Sequence, residues 1–218
     1  RDRSPSRGLG DVYKRQHKGY ADAGAEFITA NTFGANSLKY DNVDELVKAG
    51  VALAKKAGKY VALDIGPTGK LLKPMGDLEF ERAVELFAEV VRAGKDGSDV
   101  AIIETMSDMY ELKAAVIAVK ENSDLPIITS MIFDESGRLL TGGDVKSAVA
   151  MLEGLRVDAI GFNCGLGPKQ MIPLVKELRE CTSLPILVMP NAGLPESVDG
   201  KTVYNVSPDE FAQDMREI

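Results

Sequence analysis

Three short apolar runs of this 218-residue chain end on side chains that can do chemistry. VAIIE (100–104) closes on Glu104, AIGFN (159–163) is followed at once by Cys164, and ILVM (186–189) leads through Pro190 to Asn191. A carboxylate ending an apolar strand can hold a substrate ammonium or act as a base; a salt bridge to a neighbouring strand end is the plainer alternative. Cys164 lies just before a helix signalled by Pro168, a setting that suits a metal ligand or a nucleophile, whereas a lone cysteine elsewhere reads as a small buried hydrophobe. Cys181 falls in a helix-to-strand link, at the end of a βα unit that serves stability, and is read as inert. Asn31 could hydrogen-bond a polar ligand, as could Asn191. Asp64 with the turn Gly66-Pro67-Thr68-Gly69 is a weak anion-site signal and is read as structural.

Several chemistries are excluded by what the sequence lacks. His17 is the only histidine and precedes the first apolar run, so Ser-His-Asp and Cys-His sets have no base and His17 is a surface or packing residue. GxGxxG, GxxxxGK[ST] and HExxH do not occur, which leaves dinucleotide, P-loop and zincin readings without an anchor. A net charge of −7 argues against a nucleic-acid partner. No apolar run approaches the roughly 20 residues that cross a bilayer, so no membrane is expected as partner. Two cysteines are too few for a disulfide framework, and a cytoplasmic location is expected. Residues 1–16 hold five basic side chains against two acids, a head of +3 that leaves −10 for the rest. Without a clear 3.6 or 2 periodicity, this head is set apart as a non-native or disordered segment, and the globular domain is placed at 17–218.

Elements that would position these residues follow from the alternation of apolar runs with amphipathic stretches. Strands are expected at 26–31, 60–65, 100–104, 127–131, 159–163 and 186–189, with helices at 44–57, 79–93, 109–120, 145–155 and 168–179. Asp108 with Glu111 reads as a capping box, and Pro168 as a first-turn proline. Regular βα repetition fits either a TIM barrel or a doubly wound sheet, and six strands alone do not choose between them. In both, the carboxyl ends of the strands gather on the functional face.

ANTFGA (30–35), DIGPTG (64–69), IIETMSDMYELKAA (102–115), GFNCGLGP (161–168) and PNAGLP (190–195) together resemble the homocysteine S-methyltransferase family, in its order and spacing from about His17 onward. FDESGRLLTG (133–142) and Gly200-Lys201-Thr202-Val203-Tyr204 look more like its cobalamin-dependent branch than its betaine-using one. The resemblance implies an α/β fold, a (β/α)8 TIM barrel, here incomplete with about six of eight βα units. It implies methyl transfer to the thiol of homocysteine, with Zn2+ held by three cysteine thiolates and methylcobalamin as donor in a longer protein whose folate- and cobalamin-binding modules lie downstream. Within it Cys164 is the first zinc ligand, Glu104 with Asn31 belongs to the substrate, and Asn191 takes the metal's open position when substrate is absent. The family's opening DGAMGT-like turn and its closing GGCCGT-like strand, source of the other two thiolates, are not recognisable here. The expectation is therefore an inactive fragment with two unpaired sheet edges. A stand-alone enzyme using S-methylmethionine or betaine, and a non-catalytic amino-acid-binding barrel, are the alternatives.

Overall fold

The computed structural model describes residues 5–193, 196–198, 201–204 and 206–218. Its strands are β1 (Phe27–Thr29), β2 (Tyr60–Ile65), β3 (Val100–Met106), β4 (Ile127–Met131), β5 (Ala159–Asn163) and β6 (Ile186–Met189), followed by a short antiparallel pair, β7 (Glu196–Val198) and β8 (Lys201–Val203). Helices are α1 (Pro5–Asp22), α2 (Val43–Lys55), α3 (Phe80–Gly94), α4 (Met109–Asn122), α5 (Val145–Gly154), α6 (Pro168–Cys181) and α7 (Pro208–Glu217). The main sheet is ordered β1 to β6 as in the chain. Helices alternating with strands in this order are the α/β arrangement of an incomplete (β/α)8 barrel.

Two compact units divide the chain. One is Arg1–Ile103 with Ala114–Ile127, the other Glu104–Lys113 with Ile128–Ile218. In the first, β1 pairs parallel with β2 and β2 with β3. All but the first residue of β2 are buried, as expected where both faces of a parallel sheet are covered. Helix α2 buries Val43, Val47, Val51 and Ala54, one stripe of a 3.6-residue period, and α3 buries Ala83, Leu86, Phe87, Val90 and Val91 in the same way. Thr32, buried after β1, both donates to the Asp64 carbonyl (2.7 Å) and accepts from the Asp64 N–H (3.2 Å). Gly66 is required beside it, since a Cβ there would lie 2.5 Å from the Phe33 ring.

In the second unit β4 pairs with β5 and β5 with β6, all parallel. Every residue of β5 is buried, whereas all four of β6 are only half-buried. Phe162 stacks edge-on against Phe133, with centroids 5.3 Å apart. Helix α5 opens with a reciprocal cap, the Asp144 carboxylate accepting from Ser147 N–H while the Ser147 hydroxyl accepts from Asp144 N–H.

The structure departs from the sequence expectations in several elements. Helix α1 runs from Pro5 to Asp22, where no helix was marked before residue 17. His17 on this helix is a packing residue, 4% exposed. β1 is shorter than expected and β3 runs two residues past Glu104. Helix α7 and the β7–β8 pair were not anticipated, although Ser207-Pro208-Asp209-Glu210 carries the signature of the cap that forms, with Ser207 and Glu210 bonding each other's backbone N–H.

Gly161 sets how closely β5 and β6 approach, because a Cβ there would sit 1.9 Å from the Leu187 carbonyl oxygen. Gly161→Ala is expected to lower stability by about 2–3 kcal/mol, since backbone rather than a flexible side chain must move. Gly154→Ala, whose added methyl meets nothing within 4 Å, is expected to stay within about 1 kcal/mol of the parent. Urea unfolding of the two variants checks both expectations.

Candidate functional site

The carboxyl ends of β3, β4 and β5 meet on one buried side chain, the Asn163 amide. Its Oδ1 accepts from Thr105 N–H (2.9 Å) and from the Ser130 hydroxyl (2.7 Å). Its Nδ2 donates to Thr105 Oγ1 (2.7 Å) and to Cys164 Sγ (3.5 Å). Only 3% of Asn163 is exposed, so these partners stand in for water.

Two of these partners have unusual backbones. Thr105 (φ 65°) and Cys164 (φ 56°) are two of the three non-glycine residues with positive φ among the described residues. Such a conformation costs an L-residue about 1–2 kcal/mol. At Thr105 it interrupts the alternation of β3, so the Thr105 N–H leaves the strand ladder and is taken by Asn163, while Met106 rejoins through its carbonyl to Ile132 N–H. At Cys164 it turns the chain sharply off β5.

The loop carrying Cys164 is tied to the end of β6 at two points. Cys164 N–H donates to the Met189 carbonyl (3.1 Å), and Asn191 N–H donates to the Leu166 carbonyl (3.0 Å). Cys164 and Asn191 therefore belong to neighbouring, mutually bonded loops, both half-exposed. Helix α6 starts just beyond, with Gly167 as its N-cap and Pro168 in its first turn. Glu104 adjoins Thr105 and is partly buried, and desolvation raises its carboxyl above the ordinary carboxylate range. The alternative of a salt bridge is not realised: no ion pair to Glu104 occurs among the described residues.

The second unit thus holds Glu104, Cys164 and Asn191 at strand ends. Asn31 lies in the first, exposed in the turn after β1. Cys181, at the last position of α6, takes no part. Among the described residues no group of three or more His, Cys, Asp and Glu could hold a metal ion, so a zinc site of three thiolates does not fit the residues present. No helix among the described residues is long and apolar enough to cross a membrane. Sequence reasoning missed Asn163, Thr105 and Ser130 as members of the site. The only signal was indirect: three polar residues at the ends of apolar runs that must all find partners if buried.

Burial of Glu104 has a pH consequence. With its carboxyl raised, the folded chain binds the proton more tightly than the unfolded chain does. That stabilising contribution is complete below the ordinary value of 4.5 and is lost as pH rises through the higher folded value. Glu104→Gln is therefore expected to be more stable than the parent at neutral pH, with the advantage shrinking towards about pH 4.5. Urea midpoints of both proteins across that range check it; a constant difference would contradict it.

Comparison with known proteins identifies the family. The profile of the homocysteine S-methyltransferase family matches residues 7–218. Methionine synthase of Mycobacterium leprae (strain TN) is 30% identical over 224 residues, covering 93% of this chain and 18% of the relative. Methionine synthase of Mycobacterium tuberculosis (strain ATCC 25618 / H37Rv) is also 30% identical, with 93% and 19% covered. The chain thus spans under a fifth of the length of these curated relatives. Among solved structures, the metallated form of the homocysteine methyltransferase MmuM from Escherichia coli superposes with a TM-score of 0.73 at 23% identity, covering 83% of this chain and 72% of that one. That likeness supports the barrel fold, and the profile match over nearly the whole chain establishes that the protein belongs to the homocysteine S-methyltransferase family.

Proposed function

We propose that this chain is the homocysteine-binding portion of a methionine synthase, in which the thiol of homocysteine loses its proton and accepts a methyl group to give methionine. The observation that carries the reading is a partly buried carboxylate on β3, with no ion-pair partner among the described residues, and a thiol directly after β5, linked through the Asn163 amide that takes the N–H of Thr105 beside Glu104 and donates to Cys164 Sγ. A ligand with an ammonium at one end and sulfur at the other answers both. Glu104 receives the ammonium, which supplies the counter-charge that no Lys or Arg among the described residues provides. Its partial desolvation makes that ion pair stronger than a surface pair.

Family membership implies zinc, and the likeness to methionine synthases favours methylcobalamin as donor, delivered by other modules of a longer protein. Cys164 would be a zinc ligand and Asn191 its neighbour at the open position. One thiol is short of a closed site, so the chain by itself is read as a weak zinc binder that produces no methionine.

Calorimetric titration of the reduced chain tests the reading. L-Homocysteine is expected to bind more tightly than L-norvaline, which has a methyl group in place of the thiol. Glu104→Gln is expected to weaken homocysteine binding by about 30-fold or more, the scale set by loss of a desolvated charge partner. Equal affinity of the parent chain for the two amino acids, or no binding of either, would overturn the proposal.

A further inference from the structure

We infer that Asn163 is a positioning residue for homocysteine, coupling recognition of the amino end to recognition of the sulfur end; this rests on the function proposed above. All four of its hydrogen bonds go to three strand-end positions, Thr105, Ser130 and Cys164, over sequence separations of up to 58 residues. Two of those three partners are the positive-φ residues of the site. One of them, Cys164, carries the thiol, and the other, Thr105, is covalently joined to Glu104.

The amide is suited to this because it is bifunctional. Its oxygen fixes Thr105 N–H, which sets the backbone at Glu104, while its nitrogen reaches Cys164 Sγ from the other side. Thr105 Oγ1 accepts from that same nitrogen and so holds the amide plane in the orientation that serves both. Neither a carboxylate, which has no N–H, nor an apolar side chain could make this set of contacts. A group that merely filled the core would not need to spend both ends of its amide on the residues flanking the ligand. With Asn163 in place, the carboxylate and the thiol are presented as one unit before the ligand arrives, which lowers the ordering cost of binding.

Affinity and discrimination together separate this role from a structural one. Thr105→Val removes the acceptor that orients the amide but keeps the side-chain shape. It is expected to weaken L-homocysteine binding by about tenfold, the equivalent of one lost buried hydrogen bond, and to shrink the preference over L-norvaline. Thr105→Ser, which retains the oxygen, is expected to restore both. Asn163→Ala is expected to lose more than Thr105→Val on both counts, with urea midpoints confirming that each variant is folded at the assay temperature. A folded Thr105→Val with the parent's preference for L-homocysteine over L-norvaline overturns the inference while leaving the proposed function standing, and so does a Thr105→Ser that behaves like it. If Asn163→Ala does not fold, the two threonine variants decide alone. A parent chain that does not distinguish the two amino acids overturns the proposed function and this inference with it.

Discussion

The hydrogen bonds of the Asn163 amide are the constraint on which the arrangement of the second unit's strand ends depends. Two left-handed residues cost about 2–4 kcal/mol between them, and a protein whose net stability is about 5–15 kcal/mol cannot carry that without compensation. Four hydrogen bonds of a buried amide contribute about 2–6 kcal/mol net, enough to offset the strain. The exchange also explains why the strain is located where it is. Thr105 and Cys164 can leave the extended region only because the N–H of one and the sulfur of the other find a fixed partner at Asn163. The turn at Cys164 takes the thiol out of the sheet alternation that would otherwise have continued β5.

The same loop is secured from its other side by close packing of the sheet. Gly161 lets β5 approach β6 so closely that no side chain could stand between its Cα and the Leu187 carbonyl. That approach continues two pairs further along, where Asn163 stands opposite Met189. The next amide, Cys164 N–H, then reaches the Met189 carbonyl, and Asn191 N–H returns the tie to Leu166. A small residue in mid-strand thus governs the geometry of a thiol three positions on. Position matters here as much as side-chain type: a β-branched residue at 161 would suit the strand propensity but separate the two loops.

Much of this arrangement was legible in the sequence. β2, β4, β5 and β6 have the expected bounds; the first three are largely buried, and strands covered on both faces read as nearly unbroken apolar runs. Glu104, Cys164 and Asn191 stood out as polar residues closing or following such runs; in the structure Glu104 lies two residues before the end of β3, Cys164 directly after β5 and Asn191 two residues after β6. The extension of β3 was not legible, because Thr105 adopts a backbone conformation that no local preference would assign to a β-branched residue. The role of Asn163 was hidden for a related reason. Its partners lie 58 and 33 positions away, and only the assembled sheet brings them within hydrogen-bond reach. The first half of helix α1 was missed because its Ser, Pro, Arg and Gly obscure a helix whose packing residue, His17, comes late. Helix α7 could have been found, since Ser207 and Glu210 have the spacing of a capping box and Pro208 sits between them.

A carboxylate at the end of an apolar strand is an expensive feature to keep. Burial opposes its charged form, and no Lys or Arg among the described residues relieves it. A resident cation would stabilise the fold, but under the proposed function it would also compete with the ammonium of homocysteine for Glu104. Under the proposed function, leaving the charge without a resident cation would shift part of the stabilisation from folding to binding of the ammonium. Such a charge can persist only if the backbone beneath it is prevented from relaxing towards water. Thr105 provides that restraint, held through its N–H and its hydroxyl by Asn163. The strained residue and the unpaired charge are therefore parts of one device, with the amide holding the backbone on which the carboxylate depends.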